Sequence, residues 1–277
     1  MVPVIYDFTF FGLLKEPWSL HTYGVLICAA FLTATSLAKR QALREGEDPD
    51  RVVDLSFWIL VWGLIGSRVV FILTKFDEYI RNPAEIFMFW RGVLVWYGGF
   101  IGAALYLVYH SRKQRLDFFK IGDLFIPYMA LAHAIGRLGC IAAGCCHGRP
   151  ADVPWAISFP KGSMAHSAQQ ISGLIGVGDA ALPVHPTQLY EAGFEIAMFW
   201  LLLFWRPRKR FHGQLVLIWL AIYPIARSII ELFRGDKERG VWALGLSTSQ
   251  YISIAVACFA IWLFFSLRRK RLRAAST

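Results

Sequence analysis

The stretch "IGDLFIPYMALAHAIGRLGCIAA", Ile121 to Ala143, decides the fold. It is long and apolar enough to cross a hydrocarbon core, which takes about twenty residues of helix. Yet it carries His133 and Arg137 well inside its length. An ionisable side chain within a membrane segment is costly, and it marks a functional site by default. The chain then runs directly into "GCCHGRP", so two arginines, two histidines and three cysteines fall between His133 and Pro150.

The surrounding composition fits a membrane protein. Only 17% of residues are charged and 56% are hydrophobic, whereas a soluble domain carries about 25% charge. The reading is an all-α polytopic membrane protein with seven transmembrane helices, roughly 19–38, 55–75, 93–110, 121–143, 187–205, 214–234 and 248–267. The basic clusters "KRQALR", "SRKQR", "RPRKR" and "RRKRLR" follow crossings one, three, five and seven. The positive-inside rule then puts the N-terminus outside and the C-terminus in the cytoplasm. The same loops account for the net charge of +10, so no nucleic acid is expected. Met1 to Pro17 lacks the basic start and cleavage pattern of a signal peptide. The whole chain, 1–277, reads as one integral-membrane catalytic domain. Residues 1–18 read as an external interfacial arm. Residues 144–186 read as a small external head with strand-like pieces, inserted between helices four and five.

Polar groups converge on one depth. Arg68 and Arg227 lie roughly 20 Å from the cytoplasmic ends of their crossings, and Arg137 roughly 24 Å. Glu191 enters from outside and lies only about 6 Å deep, with Tyr23 and Tyr97 at similar shallow depth. Arg227, Glu231 and Arg234 share one helical face, as do Gln188, Glu191 and Glu195. A carboxylate beside a buried arginine orients the guanidinium and offsets its charge. Arginine is also the side chain suited to a bidentate grip on phosphate. An outer-leaflet cluster of this kind points to a phospholipid headgroup. Gly98, Gly99 and Gly102, at the outer end of crossing three, would let backbones approach closely or leave room for lipid.

Five stretches, in order, resemble the bacterial prolipoprotein diacylglyceryl transferases: "TYG" (Thr22–Gly24), "WYGGFIGA" (Trp96–Ala103), "GRLGCIAAGCCHG" (Gly136–Gly148), "HPTQLYEA" (His185–Ala192) and "YPIARSIIELFR" (Tyr223–Arg234). The resemblance implies transfer of the diacylglyceryl group of phosphatidylglycerol to the lipobox cysteine of a preprolipoprotein. A thioether forms and glycerol phosphate leaves, at the outer leaflet of the bacterial inner membrane. It implies no metal or other cofactor, and a monomer is expected. Carried over by motif, Arg137 and Arg227 would hold the phosphate, Glu231 would orient an arginine, and Tyr23 and Tyr97 would stand at catalytic positions. Arg68, Gly98, Gly99, Gly136, Gly139, Cys140, Gly148, Gln188, Tyr190, Glu191 and Arg234 would bind substrate or shape its wall.

The match departs from the family at three positions. Tyr97 stands where the family has a histidine, Cys140 where it has asparagine, and Cys145 where it has glutamate. A phenol with a pKa of about 10 is a poor base. The acceptor thiol, with a pKa of about 8.5, would then rely on nearby arginine or on His133 or His147. Cys28 and Cys258 lie in apolar runs and read as packing residues. Cys140, Cys145 and Cys146 leave three readings open: small polar packing, a disulfide, or zinc, for which adjacent cysteines are a poor standard spacing. A lipid-handling or transport protein is the other class of function, and a paralogue with a different acceptor is a closer variant. Neither an inverted repeat nor paired broken helices favour transport.

Overall fold

A computed structural model of the chain describes residues 4–8, 18–81, 96–235 and 247–274. Among these, seven helices reach eighteen residues or more: α1 (Thr22–Arg44), α2 (Pro49–Thr74), α4 (Trp96–Lys113), α5 (Phe118–Ala143), α7 (Thr187–Trp205), α8 (Gln214–Glu231) and α9 (Thr248–Ala274). Two short helices, α3 (Phe76–Arg81) and α6 (Met164–Ile171), a 3-10 turn at Arg206–Arg208, and two paired strands, β1 (Val4–Phe8) and β2 (Trp18–His21), complete the described elements. Five helices are long and apolar enough to cross a membrane: α1, α2, α5, α8 and α9. Large apolar side chains lie exposed along them, including Leu32, Trp62, Leu73, Ile229 and Trp262, as a lipid-facing surface requires.

Several helix ends differ from the expected ones for local reasons. α2 starts at Pro49 rather than near residue 55. Asp48 caps it, accepting from the backbone N–H of Asp50 at 3.0 Å and of Arg51 at 3.4 Å, and proline suits the first helical position. α1 and α9 run past the apolar core into their basic clusters, where cations face the helix C-terminus favourably. α7 matches its expected span. The N-terminal arm is tied down in part, because β1 pairs antiparallel with β2.

The chain forms two compact units, Met1–Ala34 with Phe125–Thr277, and Thr35–Leu124. In the second, α2 and α4 approach backbone to backbone. A Cβ placed on Gly66 would lie 2.4 Å from the Gly98 carbonyl oxygen, and one on Gly102 would lie 2.3 Å from that of Trp62. Glycine is therefore obligatory along this seam, as in small-residue packing of membrane helices. Gly98 and Gly99 both face α2 across it, which explains these glycines by helix packing without a ligand.

In the first unit, residues 144–186 fold as a head around Phe159, Ala165 and Val184. Its strand-like content is isolated bridges, Pro150 and Ile157 each with Val184 and Gly148 with Arg234. The head also contains a helix, α6, capped by Ser163, which accepts from the N–H of His166. The buried Gln169 amide clamps Leu182 through both its N–H and its C=O.

The glycine seam generates a prediction. Gly66→Ala or Gly102→Ala should destabilise the purified protein by about 1–3 kcal/mol, the cost of overpacking. A lower thermal unfolding midpoint would report it. Gly193→Ala, where an added Cβ meets nothing within 4 Å, should leave the midpoint unchanged.

Candidate active site

Three helices of the first unit deliver ionisable groups to one another. α5 supplies His133 and Arg137, one helical turn apart. α7 supplies Glu191 and Glu195, again one turn apart and both almost fully buried. α8 supplies Trp219, Tyr223 and Arg227 at successive i, i+4 positions. Arg137 donates through Nη2 to Glu191 Oε1 at 2.8 Å, and the Tyr223 hydroxyl donates to the same oxygen at 3.0 Å. Glu195 receives His133 Nδ1 on Oε1 at 2.8 Å and the Trp219 indole N–H on Oε2 at 3.1 Å. The Trp219 and Tyr223 rings stack at 4.5 Å.

The arrangement assigns the tautomer of His133. Arg137 Nε can only donate, and it approaches His133 Nε2 at 3.3 Å. Nε2 is therefore the acceptor and Nδ1 carries the proton that goes to Glu195. The lone pair that a general base would use is held by Arg137. His133 thus acts as a positioning residue for the guanidinium. Of the five N–H donors on Arg137, Glu191 and His133 take two.

Arg227 pairs with Glu231 at 2.6 Å, the i, i+4 contact expected from the sequence. Tyr223 stands one turn before Arg227 on α8 and shares the Glu191 oxygen with Arg137. Tyr23 sits against α5: a Cβ on Gly139 would be 3.0 Å from its ring, and one on Gly136 would be 3.4 Å from Ile27. These two glycines let α1 close on α5.

Gly148 joins three segments. Its N–H donates to the His185 carbonyl at 2.9 Å, and it bridges to Arg234 at the end of α8. A Cβ there would fall 2.6 Å from the His185 carbonyl oxygen and 2.7 Å from that of Phe233. Only glycine fits this crossing. The preceding loop is clamped by α7: Gln188 Nε2 donates to the Cys145 carbonyl and Thr187 Oγ1 to the Cys146 carbonyl, each at 2.7 Å. Tyr190 accepts from the Trp155 indole at 2.7 Å and contacts His185 Nδ1 at 3.1 Å. Gln188 and Tyr190 thus brace loops, whereas Glu191 reaches the arginine.

Within that clamped loop the sulfurs of Cys140, Cys145 and Cys146 lie within 4.8 Å of one another. The Cys146 thiol is pulled below its ordinary range, first by hydrogen bonding from Cys140 and Cys145, then by Arg234 and Arg137.

A family model described as prolipoprotein diacylglyceryl transferase matches residues 10–266. The chain belongs to that family. A phosphatidylglycerol–prolipoprotein diacylglyceryl transferase of Bordetella bronchiseptica is 34% identical over 260 residues, covering 91% of this chain and 93% of its own. One of Clostridium tetani is 29% identical over 264 residues, covering 95% and 97%. One of Legionella pneumophila is 31% identical over 258 residues, covering 91% and 94%.

Against that family background, the residues expected from motifs divide into two groups. Tyr23, Gly136, Arg137, Gly139, Cys140, Gly148, Gln188, Tyr190, Glu191, Arg227, Glu231 and Arg234 all belong to the first unit. Arg68 belongs to the second, where it is buried and stacks over Phe71 and Tyr79; Gly98 and Gly99 form the seam there. The side chain of Tyr97, in the first turn of α4, lies outside the described residues. Sequence reasoning placed Glu195 on the face of Gln188 and Glu191 without naming its partners, and gave no site role to Trp219 or Tyr223. The signal was present, since each stands four residues from another member of the cluster.

Removing Glu191 tests the cluster. Glu191→Ala strands a partly buried guanidinium and a partly buried phenol, at a cost of up to about 3–5 kcal/mol, the upper range for breaking a buried pair. Its thermal midpoint should fall well below that of Glu191→Gln, which keeps an acceptor oxygen. Equal midpoints for both variants and the wild type would show that Glu191 does not anchor Arg137.

Proposed function

We propose that the chain transfers the diacylglyceryl group of phosphatidylglycerol to the lipobox cysteine of a preprolipoprotein, forming a thioether and releasing glycerol phosphate. The observation that carries this reading is the Arg137 guanidinium. It is anchored by Glu191 and His133 in an apolar helix cluster, in a chain whose family match runs from residue 10 to residue 266. Its relatives carry this donor and this acceptor in their names.

The chemistry asks for such an anchor. The donor is a phosphodiester with one negative charge, and the departing glycerol phosphate has two. A guanidinium fixed beforehand gains interaction as that second charge develops, which lowers the barrier instead of merely tightening ground-state binding. Arg137 and Arg227 are assigned to the phosphate, and Glu231 orients Arg227 through their ion pair. Tyr23, against Gly139, lines the same end of α5. Glu191 is assigned to hold Arg137 through its side chain and to touch no substrate.

The seven helices α1, α2, α4, α5, α7, α8 and α9 are read as crossings of the inner membrane, with the N-terminus outside and the site toward the outer leaflet. The four basic clusters support this orientation. A reporter active only outside the cytoplasm should work when fused after Gly178 and fail when fused after Lys209. The opposite pattern would sink the topology.

The arginine series tests the phosphate assignment. A charge-assisted hydrogen bond contributes about 1.5–3 kcal/mol, or about one to two decades in rate. Arg137→Lys and Arg227→Lys keep the charge but lose the fork, and should slow transfer about tenfold or more. The alanine variants should nearly abolish it, and Lys209→Ala should leave it unchanged. Near-normal turnover in both alanine variants would contradict the assignment.

A further inference from the structure

The three sulfurs beside Arg137 carry chemistry that the phosphate assignment does not use. Cys140 closes the last turns of α5 and is buried, while Cys145 and Cys146 are partly open. Adjacent cysteines rarely share a target, because neighbouring side chains in extended backbone diverge. Here the backbone is contorted to avoid that. Gly144 has φ of 72° and Cys146 has φ of 58°, a left-handed conformation that is uncommon for a residue with a side chain. Such strain persists only where the surroundings over-determine it. The surroundings do so through Thr187 and Gln188, both buried on α7, which grip the carbonyls of Cys146 and Cys145. The Cys145 N–H also returns to the Cys140 carbonyl at 3.1 Å. The result is a fixed trio with all three sulfurs within 4.8 Å of one another.

We propose that Cys140, Cys145 and Cys146 bind a zinc ion as three thiolates, and that its fourth position takes the acceptor cysteine thiol. Three sulfurs around zinc, each at about 2.3 Å, lie about 3.8 Å apart. The trio therefore needs to close by about 1 Å at most. Three protein ligands with one open position is the arrangement of reactive zinc sites, whereas structural sites use four. Among the described residues no other histidine, cysteine or carboxylate joins the trio. The family resemblance implied no metal, and zinc on these cysteines stood as one open reading whose adjacent ligands are a poor standard spacing; the left-handed turn at Cys146 removes that objection.

The inference rests on the transferase reading and supplies the step that reading lacks. A thiol coordinated to zinc is deprotonated outright. The acceptor thiol gives its proton to water and binds as thiolate. Its sulfur electron pair then attacks the glyceryl carbon attached to the phosphate oxygen. The carbon–sulfur bond forms as the carbon–oxygen bond breaks, and that bond's electron pair leaves on the oxygen as glycerol phosphate. The thioether product has no negative charge on sulfur and is a weak ligand, so it departs. Placement supports the step, because Cys140 stands three residues after Arg137, the residue assigned to the leaving phosphate, and hence on the same side of α5.

The full-length protein, purified in detergent under reducing conditions with zinc added, is tested for metal and for sulfur. Elemental analysis should give about one zinc per chain. Absorption at the zinc edge should show three sulfurs at about 2.3 Å. A lipobox peptide with a free thiol should raise the count to four, and the same peptide with serine in place of cysteine should not. Cys140→Ser, Cys145→Ser and Cys146→Ser should each reduce bound zinc at least tenfold. Should these variants fail to accumulate, chelation of the wild type answers instead: transfer should fall at least tenfold and return with zinc. Undiminished transfer by metal-free protein would overturn the zinc site and leave the transferase reading standing. A sulfur count unchanged by the peptide would overturn the activation step. Zinc with a peptide sulfur but no transfer under any condition would uphold the site and fault the transferase reading.

Discussion

The hydrogen bond between Arg137 and Glu191 constrains more of the site than any other contact. A guanidinium and a carboxylate in an apolar interior are tolerable only as a pair. Their pairing fixes the rotation of α5 against α7. Tyr223, donating to the same oxygen of Glu191, fixes α8 against both. One turn deeper, Glu195 repeats the arrangement with His133 and Trp219. Two carboxylates on one face of α7 therefore serve as common acceptors for donors from α5 and α8, tying three helices together. The network makes a cation whose orientation is set before any ligand arrives, the condition under which electrostatic stabilisation of a developing anion is most effective.

A second constraint acts at the rim. Gly148 lies where the loop after α5, the approach to α7 and the exit of α8 cross within van der Waals contact. The backbone ladder there, with Gly148 donating to His185 and Arg149 to Phe233, carries the head back onto the helix ends. The same crossing places Arg234 beside the cysteine loop. The motif that looks anomalous for a membrane segment, arginine followed by glycines and cysteines, is thus the meeting point of the helix cluster and the head.

Much of this was legible in the sequence, because its signals are local. The apolar runs located the long helices, with ends that differ by up to seven residues where a cap or a basic cluster extends the helix. The i, i+4 spacing of Arg227 and Glu231 anticipated their ion pair, and the shared depth of Arg137 and Glu191 anticipated that they meet. What was not legible depends on partners distant in the chain. Gly98 and Gly99 read equally well as room for lipid or as packing, and the choice is made by Gly63 and Gly66 some thirty residues earlier. His133 read as a candidate base, yet Arg137 occupies its lone pair. The cysteines read as poorly spaced ligands because spacing rules assume ordinary backbone, and the left-handed turn at Cys146 departs from it. The head read as having strand-like pieces, and the short helix α6 that its Ser163 cap starts was not foreseen.

The central claim is that this arginine cluster serves diacylglyceryl transfer from phosphatidylglycerol to a cysteine thiol. Mass spectrometry of a lipobox peptide, after incubation with the purified full-length protein and phosphatidylglycerol vesicles, addresses it most directly. The account predicts a peptide heavier by one diacylglyceryl group on its cysteine, with glycerol phosphate released in equal amount. An unmodified peptide, with phosphatidylglycerol moved between leaflets but chemically intact, would contradict it.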